Sequence, residues 1–397
     1  MRALFCGSLA IAATTVVVAC GDGFGPRREI TLNFCSPVAA VAVLADNGNW
    51  VRVGSGTRVT FPASPRVAIA IAYPVSNILI LYYASAEEVV KEYSCPTDPG
   101  NPNFKTVNVS VRGLGANEFG MLAMPGGETH VHLPADFPLC CLPLEPVDIV
   151  VWKQYEPTNA FPTVPRIIFR RALNPENNST LPVFDFASAE AFTPATRTLT
   201  LIAAPPGPIF AQTDFRLASG ATLMVSADST SGTSMVHHVV PAERMAADDM
   251  HVIRLGASSR DATLFFHTPS DRSLTFGPAM IQPTFTQVDS RLHVEVPIQP
   301  EYDKLFSLFL YDDANTTISL TASSEYLESG SAHWSFTVPD LSHIPEFGTL
   351  STISGGFVWS AYVTSMPLGF RTPEAQDGDF FRKGWTFGST QGALARR

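Results

Sequence analysis

The 397-residue sequence predicts an all-β protein built from three to four tandem β-sandwich modules, and three observations carry that expectation. Beyond residue 28, short runs alternate apolar and polar residues and are broken by Gly, Pro, Asn and Asp, as half-buried strands require. Helical periodicity is sparse. Four stretches also follow one template of strand, turn, strand, tight turn, strand and Ala.

The strand period is clearest in Val107-Asn108-Val109-Ser110-Val111-Arg112 and in Leu292-His293-Val294-Glu295-Val296. In the second, Leu292, Val294 and Val296 share one face while His293 and Glu295 share the other, so one side meets a core and the other meets water. Helix is expected only in connectors, as two or three turns in 84–93 and one or two in 242–250. The template stretches begin at Ile30, Val107, Leu199 and Leu292, and the last three starts lie 92 and 93 residues apart, the length of a small β-sandwich. A second repeated element supports them: "YYASAEEVVKEY" at 82–93 precedes the second stretch and "FDFASAEAFTPATR" at 184–197 precedes the third. The expected division is a signal peptide at 1–19, a flexible tether at 20–29, and β modules at 30–104, 105–196, 197–289 and 290–397.

The N-terminus has an address-like composition. Arg2 precedes an apolar stretch from Ala3 to Ala19, too short for a comfortable membrane span, and Gly-Asp-Gly-Phe-Gly-Pro follows. Within it, Val17-Val18-Ala19-Cys20 resembles the lipobox of bacterial lipoproteins. That resemblance implies cleavage before Cys20, acylation of its thiol, and a body tethered to a membrane of the bacterial cell envelope. The modules are similar to the immunoglobulin-like and fibronectin-type sandwiches of surface proteins, which implies a fold and no function. The marker of a true antibody domain, a cysteine pair flanking a core Trp, is not visible.

A net charge of −10 without any Lys/Arg cluster argues against a nucleic-acid partner. With Cys6 removed and Cys20 acylated, four cysteines form the disulfide candidates: Cys35, Cys95, Cys140 and Cys141. The preferred bridge joins Cys35 to Cys95 and leaves the adjacent pair open.

Candidate chemistry is thin. His130 and His132 stand two apart on an expected strand near Cys140 and Cys141, a set of ligand types that suits Zn or Cu. A disulfide is the commoner fate of exported cysteines, and adjacent cysteines ligate one ion awkwardly. His237-His238 fall on opposite strand faces, so they do not converge on one ion. Glu374 with Asp377-Gly378-Asp379, and Asp312-Asp313 with Asn315, offer hard oxygens for Ca²⁺ but lack the twelve-residue loop pattern. No nucleophile elbow, zincin, β-lactamase or phosphate-loop motif occurs, so no catalytic residue and no cofactor are expected.

Aromatics crowd the last part of the chain. Trp334 with Phe336, and Phe357 with Trp359, alternate as a sandwich core would, whereas "DFFRKGWTFG" at 379–388 fits a core poorly. Phe380, Phe381, Trp385 and Phe387 are therefore the expected binding or packing patch. The function expected is non-catalytic: a membrane-anchored protein that binds an envelope protein or carbohydrate, adheres, or serves as structure. The alternative from another class is an envelope hydrolase with a site between modules.

Overall fold

The computed structural model describes residues 28–390 apart from 47, 74–76, 94–103, 126, 133–134, 156–163, 165, 313–315, 329, 349 and 351–355, with backbone alone at 127–132, 135 and 155. The first module is one bent hairpin extended by two strands. β1 (Arg28–Leu44) and β2 (Trp50–Ala63) pair along their whole length, but their register slips between Asn33 and Val38. The cause is local: Cys35-Ser36-Pro37 breaks the apolar alternation and all three are exposed, while Gly56 opposite them adopts φ +93°. The hairpin thus passes from one layer to another. β3 (Arg66–Ala72) and β4 (Ile78–Ser85) follow, then the short helix α1 (Ala86–Glu92), closed by a capping box between Ser85 and Glu88. Leu32, Phe61, Ile69, Ile71 and Val89 meet in the core beneath it.

The second module contains β5 (Lys105–Arg112), β6 (Glu118–Met124), β7 (Gly127–His132), β8 (Ala135–Leu142), β9 (Val147–Tyr155), β10 (Arg166–Leu173) and β11 (Phe184–Asp185). They form two facing sheets, β10-β9-β6-β7 and β11-β5-β8. The third contains β12 (Ala195–Ile202), β13 (Ile209–Arg216), β14 (Thr222–Thr230), β15 (Ser234–Val239), β16 (Met250–Ala257), β17 (Arg260–Phe266) and β18 (Arg272–Thr275). Its sheets, β17-β16-β13-β14 and β18-β12-β15, repeat the connectivity strand for strand. In both, the seventh strand runs parallel to the first.

The fourth module fills the same seven places from a different direction. β20 (Arg291–Pro297), β21 (Leu305–Asp312), β22 (Thr317–Ser323), β23 (His333–Thr337), β24 (Phe357–Thr364) and β25 (Phe380–Thr390) occupy places one to six. Place seven is taken by β19 (Thr284–Val288), which comes before β20 and pairs with it antiparallel. The connection is a two-residue turn in which Asp289 and Ser290 both have positive φ, as a type I′ hairpin requires. Residues 284–288, which the repeat assigned to the third module, are therefore hydrogen-bonded into the fourth. The first module obeys the same scheme with places one and two fused in β1 and three and four fused in β2.

Tandem in sequence, the modules are not a string in space. One continuous sheet runs β14-β13-β16-β17-β25-β24-β21-β22-β4-β3-β1-β2. Modules three and four join antiparallel through β17 and β25, and modules four and one join parallel through β22 and β4. Module two stays outside that sheet because β6, "EFGMLAM", is apolar on both faces. Its second face sets Phe119, Met121 and Trp152 against Phe215, Leu223 and Val225 of module three. Across the same junction Arg171 makes a two-pronged ion pair with the fully buried Asp249, which also accepts the Ala218 and Ala246 N–H groups.

Candidate functional site: a bare aromatic sheet face

Register places the rings of module four. Ser307, Phe309 and Tyr311 on β21 lie opposite Tyr362, Ser360 and Val358 on β24, and these lie opposite Trp385, Phe387 and Ser389 on β25. Directly paired residues share a face, so these nine side chains form one surface. Its reverse, from Phe306, Leu308 and Leu310 to Ala361 and Val363, is the module core.

The surface is open except at one end, where Ser307 is buried and Tyr362 packs against the core of module one. Phe387 is 71% exposed, Val358 52%, Tyr311 47% and Phe309 41%. Phe309 stacks with Tyr362 and Trp385 with Phe387, both at 6.3 Å between ring centroids, and the Lys383 ammonium sits 4.3 Å from the Tyr362 ring centre. Between the rings stand hydroxyls: Phe309 has Ser360 on one side and Ser319 on the other, and Tyr311 has Thr317. Small partners leave the ring faces uncovered and supply hydrogen-bonding groups beside them. At the edge of this surface, Asp261 pairs in register with Lys383; burial pushes its carboxyl pKa up, and the Lys383 charge opposes that shift.

Neighbouring parts of the same sheet side are covered. Over module one lie α1 and the core of Ile30, Leu32 and Phe34. Over module three, Phe370 and Ala375 pack on Met250, Val252 and Phe265. The segment that brings them is tied to α1 by Arg371, which donates to the Lys91 carbonyl, and by the Lys91–Glu374 ion pair. Loop packing therefore reaches the aromatic surface only at Tyr362, beside Leu368, and leaves Phe309, Tyr311 and Phe387 exposed.

This arrangement divides the expected patch. Trp385 and Phe387 belong to the open surface, whereas Phe380 packs into the module-three core and Phe381 against Phe265 and Phe370. The division follows from strand alternation across the β17–β25 junction and from the covering loop. Phe309 and Tyr311 escaped sequence reasoning because "LFSLFLYD" is apolar at nearly every position and hides which face each ring takes, and Tyr362, one of the late-chain aromatics, joins the patch only through the register of β24. Trp334, Phe336, Phe357 and Trp359 are core residues, as their alternation predicted.

The remaining candidates are dispersed. Cys20 and Cys95 lie outside the described residues. Cys35 is disulfide-bonded. Cys140 and Cys141 are free, exposed thiols at a bulge of β8, not the bridge expected of exported cysteines, and a hydrogen bond to Cys140 raises the Cys141 pKa. His130 and His132 lie on β7, where only the backbone is described. Among the described residues no three His, Cys, Asp or Glu side chains gather as metal ligands. His237 is buried and His238 half-buried, on opposite faces. Asp377 accepts the His267 N–H, Asp379 the Gln376 N–H and Asp312 the Thr316 N–H, so these acids hold turns.

No family model matches the chain, and no curated protein matches it. Among solved structures, the tetra-tandem repeat in the extending region of a large adhesion protein aligns over 91% of this chain and 94% of that chain, at 9% identity and a TM-score of 0.18.

Proposed function

We propose that this protein is a lipid-anchored, non-catalytic component of a bacterial envelope that adheres to polysaccharide through the aromatic face of module four. The observation that carries this reading is the exposure of Phe309, Tyr311 and Phe387, with Trp385 and Tyr362 beside them, on a sheet face interleaved with serine and threonine. Aromatic faces are electron-rich and attract the C–H edges of a pyranose, while adjacent hydroxyls bond its oxygens. A protein-docking core of this size would bring apolar cross-strand partners in place of serines. The anchor rests on the lipobox resemblance at Val17-Val18-Ala19-Cys20.

Two experiments test the two halves. Co-sedimentation of the full chain with insoluble chitin, cellulose and peptidoglycan should show saturable binding to at least one of them. Trp385→Ala or Phe387→Ala should weaken it by about two- to twelve-fold per ring, since an aromatic contact contributes roughly 0.5–1.5 kcal/mol. Binding unchanged by both substitutions removes the aromatic face from the reading. Radioactive palmitate should label the wild-type chain in cells and leave Cys20→Ser unlabelled; equal labelling of both rejects the anchor.

A further inference from the structure

On the other side of the twelve-stranded sheet, a cleft of about 870 Å³ separates module one from the smaller sheet of module four. That volume lies within the range of ligand sites, roughly 300–1,000 Å³. One wall is β23 from end to end, since the lining includes Ser331, His333, Ser335, Thr337 and Pro339. The other wall comes from β1, β2 and β3, with Trp50 of β2, Tyr83 of β4 and Tyr326 of the turn after β22 offering apolar area.

β23 is the edge of the β19-β20-β23 sheet. Its inward bonds can be assigned: Val338 N–H donates to Leu292, and Ala332 C=O accepts from Ile298, so Trp334 and Phe336 are the residues that bond β20. The N–H and C=O groups of His333, Ser335 and Thr337 then point the other way. Among the described residues no other backbone group pairs with them. Donors and acceptors repeat along that edge with the spacing of a missing strand.

We propose that this cleft receives an extended peptide segment, which adds to β23 as a fourth strand. The concavity excludes a second folded copy of the chain, whose own sheet would need a flat approach, and admits a single slim strand. The regular alternation of backbone donors and acceptors suits a peptide better than a sugar, whose hydroxyls carry no such period. Charge specifies the occupant further. Arg66 and Glu328 both line the cleft and neither has an ion pair among the described residues, whereas Arg291 has Asp289 at 3.5 Å. The occupant therefore carries one acidic and one basic side chain, with apolar side chains at alternate positions to meet Trp50 and Tyr83. This inference does not depend on the polysaccharide reading, which concerns the opposite side of the sheet.

The test uses the full chain and fluorescein-labelled synthetic nonapeptides that alternate aromatic residues with Ser or Thr and carry Asp and Lys at opposite ends, in both orientations. Saturable anisotropy binding is expected for one orientation. Backbone N-methylation of the peptide at alternate positions should weaken it about ten-fold or more, because each lost donor leaves an edge carbonyl unmatched. Arg66→Glu should weaken the same peptide, and Phe387→Ala should leave it unchanged. The proposal fails if no peptide binds saturably, if N-methylated and unmodified peptides bind equally, or if a soluble oligosaccharide fills the cleft and displaces the peptide irrespective of its backbone.

Discussion

Modules three and four present the same four-stranded layer to the same side of one sheet, yet one is covered and the other bare. Over β16 and β17 the outward positions are Met250, Val252 and Phe265, and a loop delivers Phe370 and Ala375 onto them. Over β21, β24 and β25 the outward positions hold rings spaced by serines; Tyr362 packs against the cluster of Leu305 and the loop residue Leu368, while Phe309, Tyr311, Val358 and Phe387 stay exposed. Apolar neighbours recruit a cover; rings set beside exposed hydroxyls such as Ser360 and Ser389 do not, because those hydroxyls are already solvated. The difference separates residues that stabilise the fold from residues free to meet a ligand.

Substitutions should fall in order along that divide. The largest effect is expected at Asp249, whose buried carboxylate gathers Arg171 and two backbone N–H groups between modules two and three. Asp249→Ala leaves the Ala218 and Ala246 N–H groups without their acceptor and Arg171 with only Asp148 at 3.7 Å and the Arg244 carbonyl, and should cost about 3–5 kcal/mol by denaturant unfolding. Trp334→Ala empties a fully buried site in the module-four core and should cost a similar or slightly smaller amount, roughly 3–5 kcal/mol. Phe387→Ala, on the bare face, should shift stability by no more than about 0.5 kcal/mol while weakening ligand binding. A large loss of stability at Phe387 would show that the face is covered after all.

A pH titration probes the covered module from within. Burial, followed by the His238 charge, lowers the His237 pKa to about 4, and burial, followed by the His237 charge, lowers that of His251 to about 3. His251 Nε2 accepts the Val240 N–H, which requires that nitrogen to be unprotonated. Both folded pKa values lie below the ordinary 6.5, so the unfolded chain binds more protons between them. Their stabilising contribution is complete above about pH 6.5, declines as pH falls, and stops changing below about pH 3. Urea unfolding of His251→Phe against the wild type between pH 7 and 4 should show a shallower decline. Parallel curves would remove His251 as the cause.

Much of the fold was legible from period and repeat. Strand alternation at Val107–Arg112 and Leu292–Val296 falls on β5 and β20, and Ile30, Val107, Leu199 and Leu292 each lie in a strand that fills place one, although the strands of module four begin earlier, at β19. What escaped was long-range pairing. Nothing local in β17 or β25 announces that they meet, and the Asp289-Ser290 turn lacks the glycine that usually signals a two-residue hairpin, so β19 read as the tail of module three. The aromatic site was half legible for the same reason. Trp385 and Phe387 alternate visibly with polar residues, but their partners Phe309 and Tyr362 reach them only through the sheet register.

The parallel seam between β22 and β4 has a consequence for the order of events during synthesis. Module one is made first, yet the edge of β4 has no strand beside it until β22, near the far end of the chain, has been completed. Throughout the intervening synthesis that edge is an unmatched template, able to pair wrongly with any passing strand. Closing the seam is therefore a late, high-contact-order step, and the rate-limiting phase of refolding should report on modules one and four together.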